Sequence, residues 1–426
     1  MESSKKAKTD YIMLEKVTNL GNLPYLPLEI IFKYLRARDR RSLSLTNKHI
    51  LSMFLNLKDW RFADMNSSEL KLFSQCIRNI RVLVFECLSS VEGATFRWFL
   101  QNHPELVRLT IGETLELGLT SLASLLFMPN LKYLDYKCYG DFHRNNRNFL
   151  KTEIKPISLE YLNLTLNTSV KEKTYLSILM MAGKEIKALH IGDSLPSKAL
   201  EYIGENLTEL HTLGLTGTNP IKSVAQILKE CKKLRSLEIQ FRSSNPILIT
   251  QHLAIMGEHC SQLESLCILD KYMPELSFIK FIAKCKSVRS LSLPYHLSVE
   301  SLSELVSLRP ELEVLHVDNY RGSTPCLNTH LSILLSGLPN LQDLSLSTGI
   351  IEDNLDLPDQ SKHGLKSLKL SLCRLGSEGL KKLLEKCPGL INLDLGHSDL
   401  NDETWRDIVS SGSIPNIRRS WTSTRS

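Results

Sequence analysis

The chain has 426 residues with 52 basic and 46 acidic side chains, and its formal net charge of +6 is mild for this length. That balance argues against a nucleic-acid-binding protein, for which a concentrated basic face is expected. No apolar run approaches the roughly 20 residues of a membrane-spanning helix. No secretory signal peptide is recognisable either, because Tyr11–Leu14 is too short for its apolar region.

Ten cysteines are spread singly along the chain, with no Cys-x-x-Cys pair that would supply zinc spacing. Without an export signal, this usage favours reduced thiols and a cytoplasmic or nuclear location, or both. Residues 1–22 include Lys5, Lys6 and Lys8 and are predicted to be a disordered basic tail rather than a nuclear address.

Residues 23–64 predict a small helical domain. Pro27 stands where a helix would begin, since its fixed φ angle suits the first turn. Apolar side chains follow at helical spacings: Ile30, Ile31, Tyr34, Leu35, Leu43 and Leu45. So short a segment buries a small core, and domains of this size commonly need a partner.

This segment resembles the F-box in its Leu26-Pro27 pair, its spaced aliphatic residues, and in Asp39, Lys48 and Trp60. The resemblance implies that the segment docks a Skp-type adaptor and, through it, a cullin–RING ligase. The docking residues that it implies are Leu26, Pro27, Ile30, Ile31, Tyr34, Leu35, Leu43 and Leu45. The alternative is a helical cap that seals the open end of a repeat array.

After a predicted linker or cap at residues 65–79, the six-residue pattern L-x-x-L-x-L recurs thirteen times. The copies begin at Ile80, Leu106, Leu131, Leu159, Ile186, Leu210, Leu234, Leu263, Val288, Leu312, Leu341, Leu365 and Leu390. Their period averages roughly 26 residues, within the range of leucine-rich repeats. Residues 80–412 are therefore predicted to be a repeat array, followed by a C-terminal tail at residues 413–426.

Each copy predicts a short strand, and the stretches between copies predict helices. Four stretches repeat one apolar face at i, i+3, i+4 and i+7: Phe96, Phe99, Leu100 and His103; Val224, Ile227, Leu228 and Cys231; Phe278, Phe281, Ile282 and Cys285; Leu380, Leu383, Leu384 and Cys387. Ser377 is the expected N-cap of the last of these helices. The predicted fold is a right-handed α/β solenoid of about thirteen repeats, a horseshoe with a parallel sheet on its concave side.

Four cysteines occupy one position of the repeat, three residues before its first aliphatic residue: Cys231, Cys260, Cys285 and Cys387. A shared repeat position stacks side chains along a solenoid instead of converging them on one ion, so these are predicted to be buried thiols and no metal or other cofactor is expected. The stretch from Cys387 to Thr404, together with Cys373, resembles the cysteine-containing leucine-rich repeat of F-box proteins.

No catalytic signature is found, so no catalytic residue is predicted and the chain is not expected to be an enzyme. The variable positions between the leucines should project from the concave face. Candidates for binding a target protein there are Tyr133, Asp135, Tyr161, Glu238, His316, Asp318, Asp343 and Asp394. Acidic side chains outnumber basic ones at the variable positions, which indicates a ligand with basic character. The alternative is an ordinary surface of mixed charge.

The resemblance implies a substrate-recognition subunit of a Skp–cullin–F-box ubiquitin ligase, with the repeats holding an unknown protein substrate for ubiquitination. The alternative is a non-catalytic leucine-rich scaffold or inhibitor that binds a protein partner without ubiquitin. Nucleic acid and membrane are not expected partners.

Overall fold

The computed structural model describes residues 58–88, 90–115, 117–139, 157–166, 170–217, 221–241, 245–318, 324–357, 363–411 and 414–418. The implied adaptor-docking residues from Leu26 to Leu45 lie outside these ranges. The chain divides into two compact units, Met1–Asp193 and Ser194–Ser426. In the described part, no helix has the length and apolar character needed to cross a bilayer.

In its described part, the first unit alternates strands and helices along the chain, and its strands lie side by side in chain order, all parallel. The strands are β1 (Asp59–Phe62), β2 (Val82–Phe85), β3 (Arg108–Thr114), β4 (Tyr133–Cys138), β5 (Tyr161–Leu166) and β6 (Ala188–Ile191). The helices are α1 (Ser67–Cys76), α2 (Gly93–Asn102), α3 (Leu119–Leu125) and α4 (Glu172–Ala182).

The described part of the second unit repeats this arrangement. Its main parallel sheet consists of β7 (Thr212–Leu215), β8 (Ser236–Ile239), β9 (Ser265–Ile268), β10 (Ser290–Leu293), β11 (Val314–Val317), β12 (Asp343–Ser347), β14 (Ser367–Ser371), β16 (Asn392–Asp394) and β17 (Asn416–Arg418). A two-stranded sheet pairs β13 (Ile350–Ile351) with β15 (Arg374–Leu375). The helices are α5 (Ser197–Asn206), α6 (Ile221–Glu230), α7 (Pro246–Met256), α8 (Glu275–Ile282), α9 (Val299–Leu308), α10 (Asn328–Gly337), α11 (Ser377–Lys386) and α12 (Asp402–Ser410).

The middle leucine of the repeat sets the register of the sheet in each unit. Leu83 pairs with Leu109 in the first unit, and Leu237 pairs with Leu266 in the second. In all thirteen copies the middle leucine is at most 1% exposed, since alternate strand residues point to the helix-covered side. The predicted α/β leucine-rich-repeat fold is confirmed in each unit.

The array extends beyond both predicted boundaries. Strand β1 places Trp60 opposite Leu83, so within the described residues the sheet already includes Asp59–Phe62, ahead of the predicted start at Ile80. The predicted linker at residues 65–79 contains helix α1, and the predicted C-terminal tail contains β17, where Ile417 lies opposite Leu393. Trp60 and Ile417 stand where the middle leucine would be, so neither strand matches the L-x-x-L-x-L pattern. Trp60 is nevertheless only 2% exposed and fills the same core position.

The helix faces pack as predicted, except that Leu384 is only half-buried. The predicted N-cap of α11 is wrong by one residue, because Ser377 is the first helical residue and Gly376 is the N-cap. The capping carboxylate comes from the preceding repeat, where Asp353 Oδ1 accepts from the backbone N–H of Glu378 at 2.9 Å. A side chain at position 376 would collide with that carboxylate, since an added Cβ would lie 2.5 Å from Asp353 Oδ1.

The four cysteines at the shared repeat position are buried, as predicted: Cys231, Cys260, Cys285 and Cys387. Burial raises the pKa of Cys231 and of Cys387 to about 11, because a thiolate is poorly solvated there. These two thiols therefore stay protonated and act as small apolar side chains.

Candidate binding face of the sheet

In each unit, the side of the sheet turned away from the helices is the candidate binding face. Along most of the predicted strands buried residues alternate with partly or fully exposed ones, and the exposed side chains make up this face; β7 and β12 depart from the alternation, because Gly214 and Ser345 are buried. The eight candidate residues all belong to it and none is buried: Tyr133, Asp135, Tyr161, Glu238, His316, Asp318, Asp343 and Asp394.

In the first unit, Tyr133 and Tyr161 stack face to face, with ring centroids 3.9 Å apart and an interplanar angle of 6°. The guanidinium carbon of Arg108 lies 3.8 Å from the centroid of the Tyr133 ring. On the other side, the His190 ring lies 5.8 Å from that of Tyr161. We call Arg108, Tyr133, Tyr161 and His190 the aromatic ladder.

The register of three strands produces this ladder. Arg108 pairs with Tyr133, and Tyr133 pairs with Tyr161, at equivalent positions of β3, β4 and β5. Adjacent strands lie about 4.8 Å apart, so planar groups at equivalent positions stack. A cation over a tyrosine face is attracted by the ring quadrupole. Both tyrosines were predicted as candidates from the sequence, whereas the stacking role of Arg108 was not.

Asp135 lies beside the ladder, opposite Asn163 in the register of β5. Its Oδ1 is buried and has no hydrogen-bond partner. Burial raises the pKa of this carboxyl, while the positive charges of Lys137, His190 and Arg108 oppose the rise. An unpaired buried acceptor is costly, so this oxygen favours a ligand that brings a hydrogen-bond donor.

The hydroxyl of Tyr161 remains a donor at neutral pH. Burial raises the pKa of Tyr161 most strongly, and hydrogen bonding with Tyr133 and the nearby charge of Asp135 raise it further. The binding face of the first unit therefore combines flat aromatic surface with the Tyr161 hydroxyl as a donor and the Asp135 carboxyl as an acceptor. The cations Arg108 and Lys137 lie on the same face. This combination suits contact with a protein segment.

In the second unit, two of the candidates contact each other. His316 Nε2 lies 3.5 Å from Asp343 Oδ1, and both side chains are 39% exposed. The two residues are diagonal neighbours, because Val314 pairs with Asp343 while His316 pairs with Ser345. In this exposed geometry the pair adds little stability and remains accessible.

Two further candidates, Glu238 and Asp318, lie near a half-buried thiol. Burial raises the pKa of Cys267 to about 12, the negative charges of Glu238 and Asp318 contribute, and a hydrogen bond to Ser292 opposes the rise. Cys267 was not among the predicted candidates, although it occupies a variable position of its repeat. Asp394 instead serves a turn, since its Oδ1 accepts from the backbone N–H of Gly396 at 3.0 Å.

Charge is divided between the two units on this face. At the variable strand positions, the first unit has two cations, Arg108 and Lys137, against two carboxylates, Asp135 and Glu86, and Glu86 is paired with Arg61 at 2.8 Å. The second unit has Glu238, Asp318, Asp343 and Asp394 against the single cation Lys369. The acidic excess found in the sequence therefore belongs to the second unit.

Ion pairs join the residues that directly precede the strands of neighbouring repeats. In the first unit Glu160 bridges Lys132 at 2.9 Å and Lys187 at 2.8 Å. In the second unit Arg289 contacts Glu313 at 2.7 Å. Alternating charge at equivalent positions of neighbouring repeats favours the observed register, although exposed pairs contribute little energy. These residues were not candidates, yet their alternating signs are visible in the sequence.

Comparison with known families finds the F-box domain at residues 20–62. The last four matched residues, Asp59–Phe62, are strand β1. The chain therefore carries an F-box domain followed by leucine-rich repeats.

Among solved structures, the chain is similar to one from the crystal structure of the Rad7 and Elc1 complex in yeast, at 16% identity and a TM-score of 0.49, covering 93% of each chain. It is also similar to the leucine-rich repeat-containing protein LegL7 from Legionella pneumophila, at 14% identity and a TM-score of 0.39, covering 65% of this chain and 88% of that one. These likenesses are too weak to bear on function.

Proposed function

We propose that this chain, an F-box domain joined to leucine-rich repeats, is the substrate-recognition subunit of a Skp–cullin–F-box ubiquitin ligase. The observation that carries the proposal is the F-box match at residues 20–62, directly ahead of the array. F-box domains bind Skp1-type adaptors, and the adaptor would connect the chain to the cullin–RING subunits.

The continuity of the two parts supports this role. Strand β1 belongs both to the matched segment and to the sheet, and its Trp60 and Phe62 are buried in the core of the first unit. No linker residues separate the match from the array. A short connection restricts the distance between adaptor and target, and catalysis by proximity depends on such a restriction.

In this mechanism the chain makes and breaks no covalent bond. Its repeats hold a target protein on the candidate binding face, and other subunits transfer ubiquitin to a lysine of that target. Tyr133, Asp135 and Tyr161 in the first unit, and Glu238, His316, Asp318 and Asp343 in the second, are the proposed target contacts. Asp394 is the weakest member of the set because its carboxylate already serves a turn.

Capture of a purified Skp-type adaptor by the full chain tests the proposal. We expect the wild-type chain to retain the adaptor and the double variant Leu26→Asp/Pro27→Ala to bind it at least about tenfold more weakly, equivalent to about 1.4 kcal/mol. A charge placed in an apolar contact is strongly disfavoured.

The matched control is Leu276→Asp, which changes a leucine that is 63% exposed on α8. It should bind the adaptor like the wild type. If the wild-type chain captures no adaptor, or the double variant captures it equally well, the ligase role is excluded. A scaffold or inhibitor role then remains.

A further inference from the structure

One column of side chains in the second unit places three cysteines and an arginine at equivalent positions of consecutive repeats. Each member of this column stands five residues before a strand residue that pairs with the corresponding residue of the neighbouring strand. The members are Cys231, Cys260, Cys285 and Arg309. The register of the strands therefore places successive members of the column on neighbouring repeats.

Two of these thiols are in contact. The Sγ atoms of Cys260 and Cys285 lie 2.9 Å apart, and both residues are fully buried. A disulfide requires the two sulfur atoms to approach to about 2.0 Å, so only a small movement separates this contact from a bond. The thiol of Cys231 instead donates to the carbonyl of Leu207 in the preceding repeat, at 3.6 Å.

The two thiols differ in character. The S–H of Cys285 donates to Cys260, and the charges of Lys284 and Arg309 are nearby, so the pKa of Cys260 is lowered. Cys285 keeps its proton, since that hydrogen bond and its burial raise its pKa. Arg309 is held close by the bond from its Nε to the carbonyl of Cys285, at 2.9 Å. Cys260 is therefore suited to be the nucleophile, and Cys285 is suited to attack the oxidised Cys260 in the second step.

We infer that Cys260 and Cys285 are a redox modification site, at which hydrogen peroxide converts the two thiols into a disulfide that links consecutive repeats. The Cys260 sulfur attacks one peroxide oxygen, forms a sulfenic acid and releases the other oxygen as water. The Cys285 sulfur then attacks the Cys260 sulfur, and the hydroxyl leaves with the Cys285 proton as a second water. Two thiols and one peroxide give one disulfide and two waters.

The disulfide would close a loop that contains β9 and α8. It would restrict the unfolded chain and so stabilise the second unit against unfolding. Because both thiols are buried, local opening must admit the peroxide, and we expect the exposed Cys76 and Cys326 to react with it sooner. This inference is independent of the ubiquitin-ligase proposal.

The test uses the full chain, reduced, then treated with hydrogen peroxide under native conditions, blocked with an alkylating agent in denaturant and mapped by peptide mass spectrometry. Lys271, Lys280 and Lys284 lie between the two cysteines, so trypsin separates their peptides, and fragmentation of the linked peptide distinguishes Cys260 from Cys267, which lies on the same tryptic peptide. We expect a Cys260–Cys285 linked peptide that dithiothreitol reverses, together with a higher melting temperature of the oxidised protein.

Cys260→Ser and Cys285→Ser should each abolish the linked peptide and the rise in melting temperature. The matched controls Cys231→Ser and Cys387→Ser remove cysteines from the same repeat position and should leave both effects intact. The peptide map of the wild-type chain tests the inference even if a serine variant does not fold. A Cys231–Cys260 link, a Cys260–Cys285 link that forms only in urea, or oxidation of both thiols without a link overturns the inference.

Discussion

Arg309 is a charged side chain that is only 6% exposed, and it is held by backbone carbonyls. Its Nε donates to the carbonyl of Cys285 and its Nη2 to that of Ala283, both at 2.9 Å, with further bonds to Ile282 and Leu308. Ile282 is the last residue of α8 and Ala283 is its C-cap. A cation from the next repeat therefore satisfies the carbonyls at the end of this helix, which is also the favourable end of its dipole.

Replacing Arg309 with leucine should destabilise the second unit by about 1–3 kcal/mol, because the carbonyls of Ala283 and Leu308 lose their donor, while those of Ile282 and Cys285 keep a backbone N–H. Urea denaturation of the full chain measures the loss. The matched control is Arg289→Leu, whose side chain is 63% exposed and contacts Glu313. Equal losses in the two variants would show that the carbonyl contacts of Arg309 are not the cause.

A buried histidine gives the first unit a pH dependence. His103 is 2% exposed, its Nε2 lies 2.9 Å from Ser74 Oγ, and burial lowers its pKa to about 4. The unfolded chain takes up this proton near pH 6.5. Between pH 6.5 and 4 the unfolded state therefore binds the proton more readily, and stability falls as the pH drops through that window.

We expect urea unfolding of the first unit to require less denaturant at pH 4.5 than at pH 7.5. The double variant Ser74→Ala/His103→Leu removes both members of the hydrogen bond and should show a shallower dependence. An unchanged slope in the double variant would assign the pH effect to other groups. The mechanism is the cost of burying a charged imidazolium.

At the scale of the element, helix α4 ends at a glycine that no other residue replaces easily. Gly183 has a φ angle of +89°, and an added Cβ would lie 2.1 Å from the carbonyl oxygen of Ile157. Glycine tolerates this left-handed backbone conformation because it has no Cβ. The chain after α4 passes this point close to Ile157, which leads into β5.

Gly183→Ala should lower the free energy of unfolding of the first unit by about 1–3 kcal/mol, from backbone strain and the collision together. The comparison variant is Gly118→Ala at the start of α3, where φ is −84° and no heavy atom lies within 4 Å of an added Cβ. Its effect should stay within about 0.5 kcal/mol. Chemical denaturation of the full chain measures both, and an undiminished stability of Gly183→Ala would contradict the strain.

At the scale of the whole molecule, the binding faces of the two units differ in chemistry. The first offers the aromatic ladder with Asp135, and the second offers carboxylates on either side of Cys267. A target that uses the second face should present basic side chains, since opposite charges steer association and like charges oppose it.

Asp318→Lys/Asp343→Lys should therefore weaken capture of the target by about tenfold or more, measured by affinity purification with the proteasome blocked. Tyr133→Ala tests the first face in the same assay. The control is Glu258→Lys, an exposed charge that follows helix α7. If the Asp318→Lys/Asp343→Lys variant and the Tyr133→Ala variant both capture the target like the wild type, the predicted contacts are wrong in both units, while the adaptor assay remains a separate test of the ligase role.

The position of each repeat strand could be predicted from the sequence because alternation of buried and exposed residues is a local property with a period of two. Every copy of the pattern became a strand with its middle leucine in the core. The same property identified Tyr133, Asp135 and Asp343 as surface residues. Helix α1 was not predicted, although Asn66 and Glu69 form a capping box at the spacing that such a box requires.

Only the tertiary structure decided which side chains of neighbouring repeats contact one another. The pattern does not say that Tyr133 stacks on Tyr161, that Cys260 meets Cys285 while Cys231 turns to Leu207, or that Asp353 caps the helix of the next repeat. It also missed the end strands, where Trp60 and Ile417 take the place of leucine. The physical reason is that contacts between repeats depend on strand register and on side-chain rotamers across the sheet, whereas the pattern records the burial of each residue within its own strand.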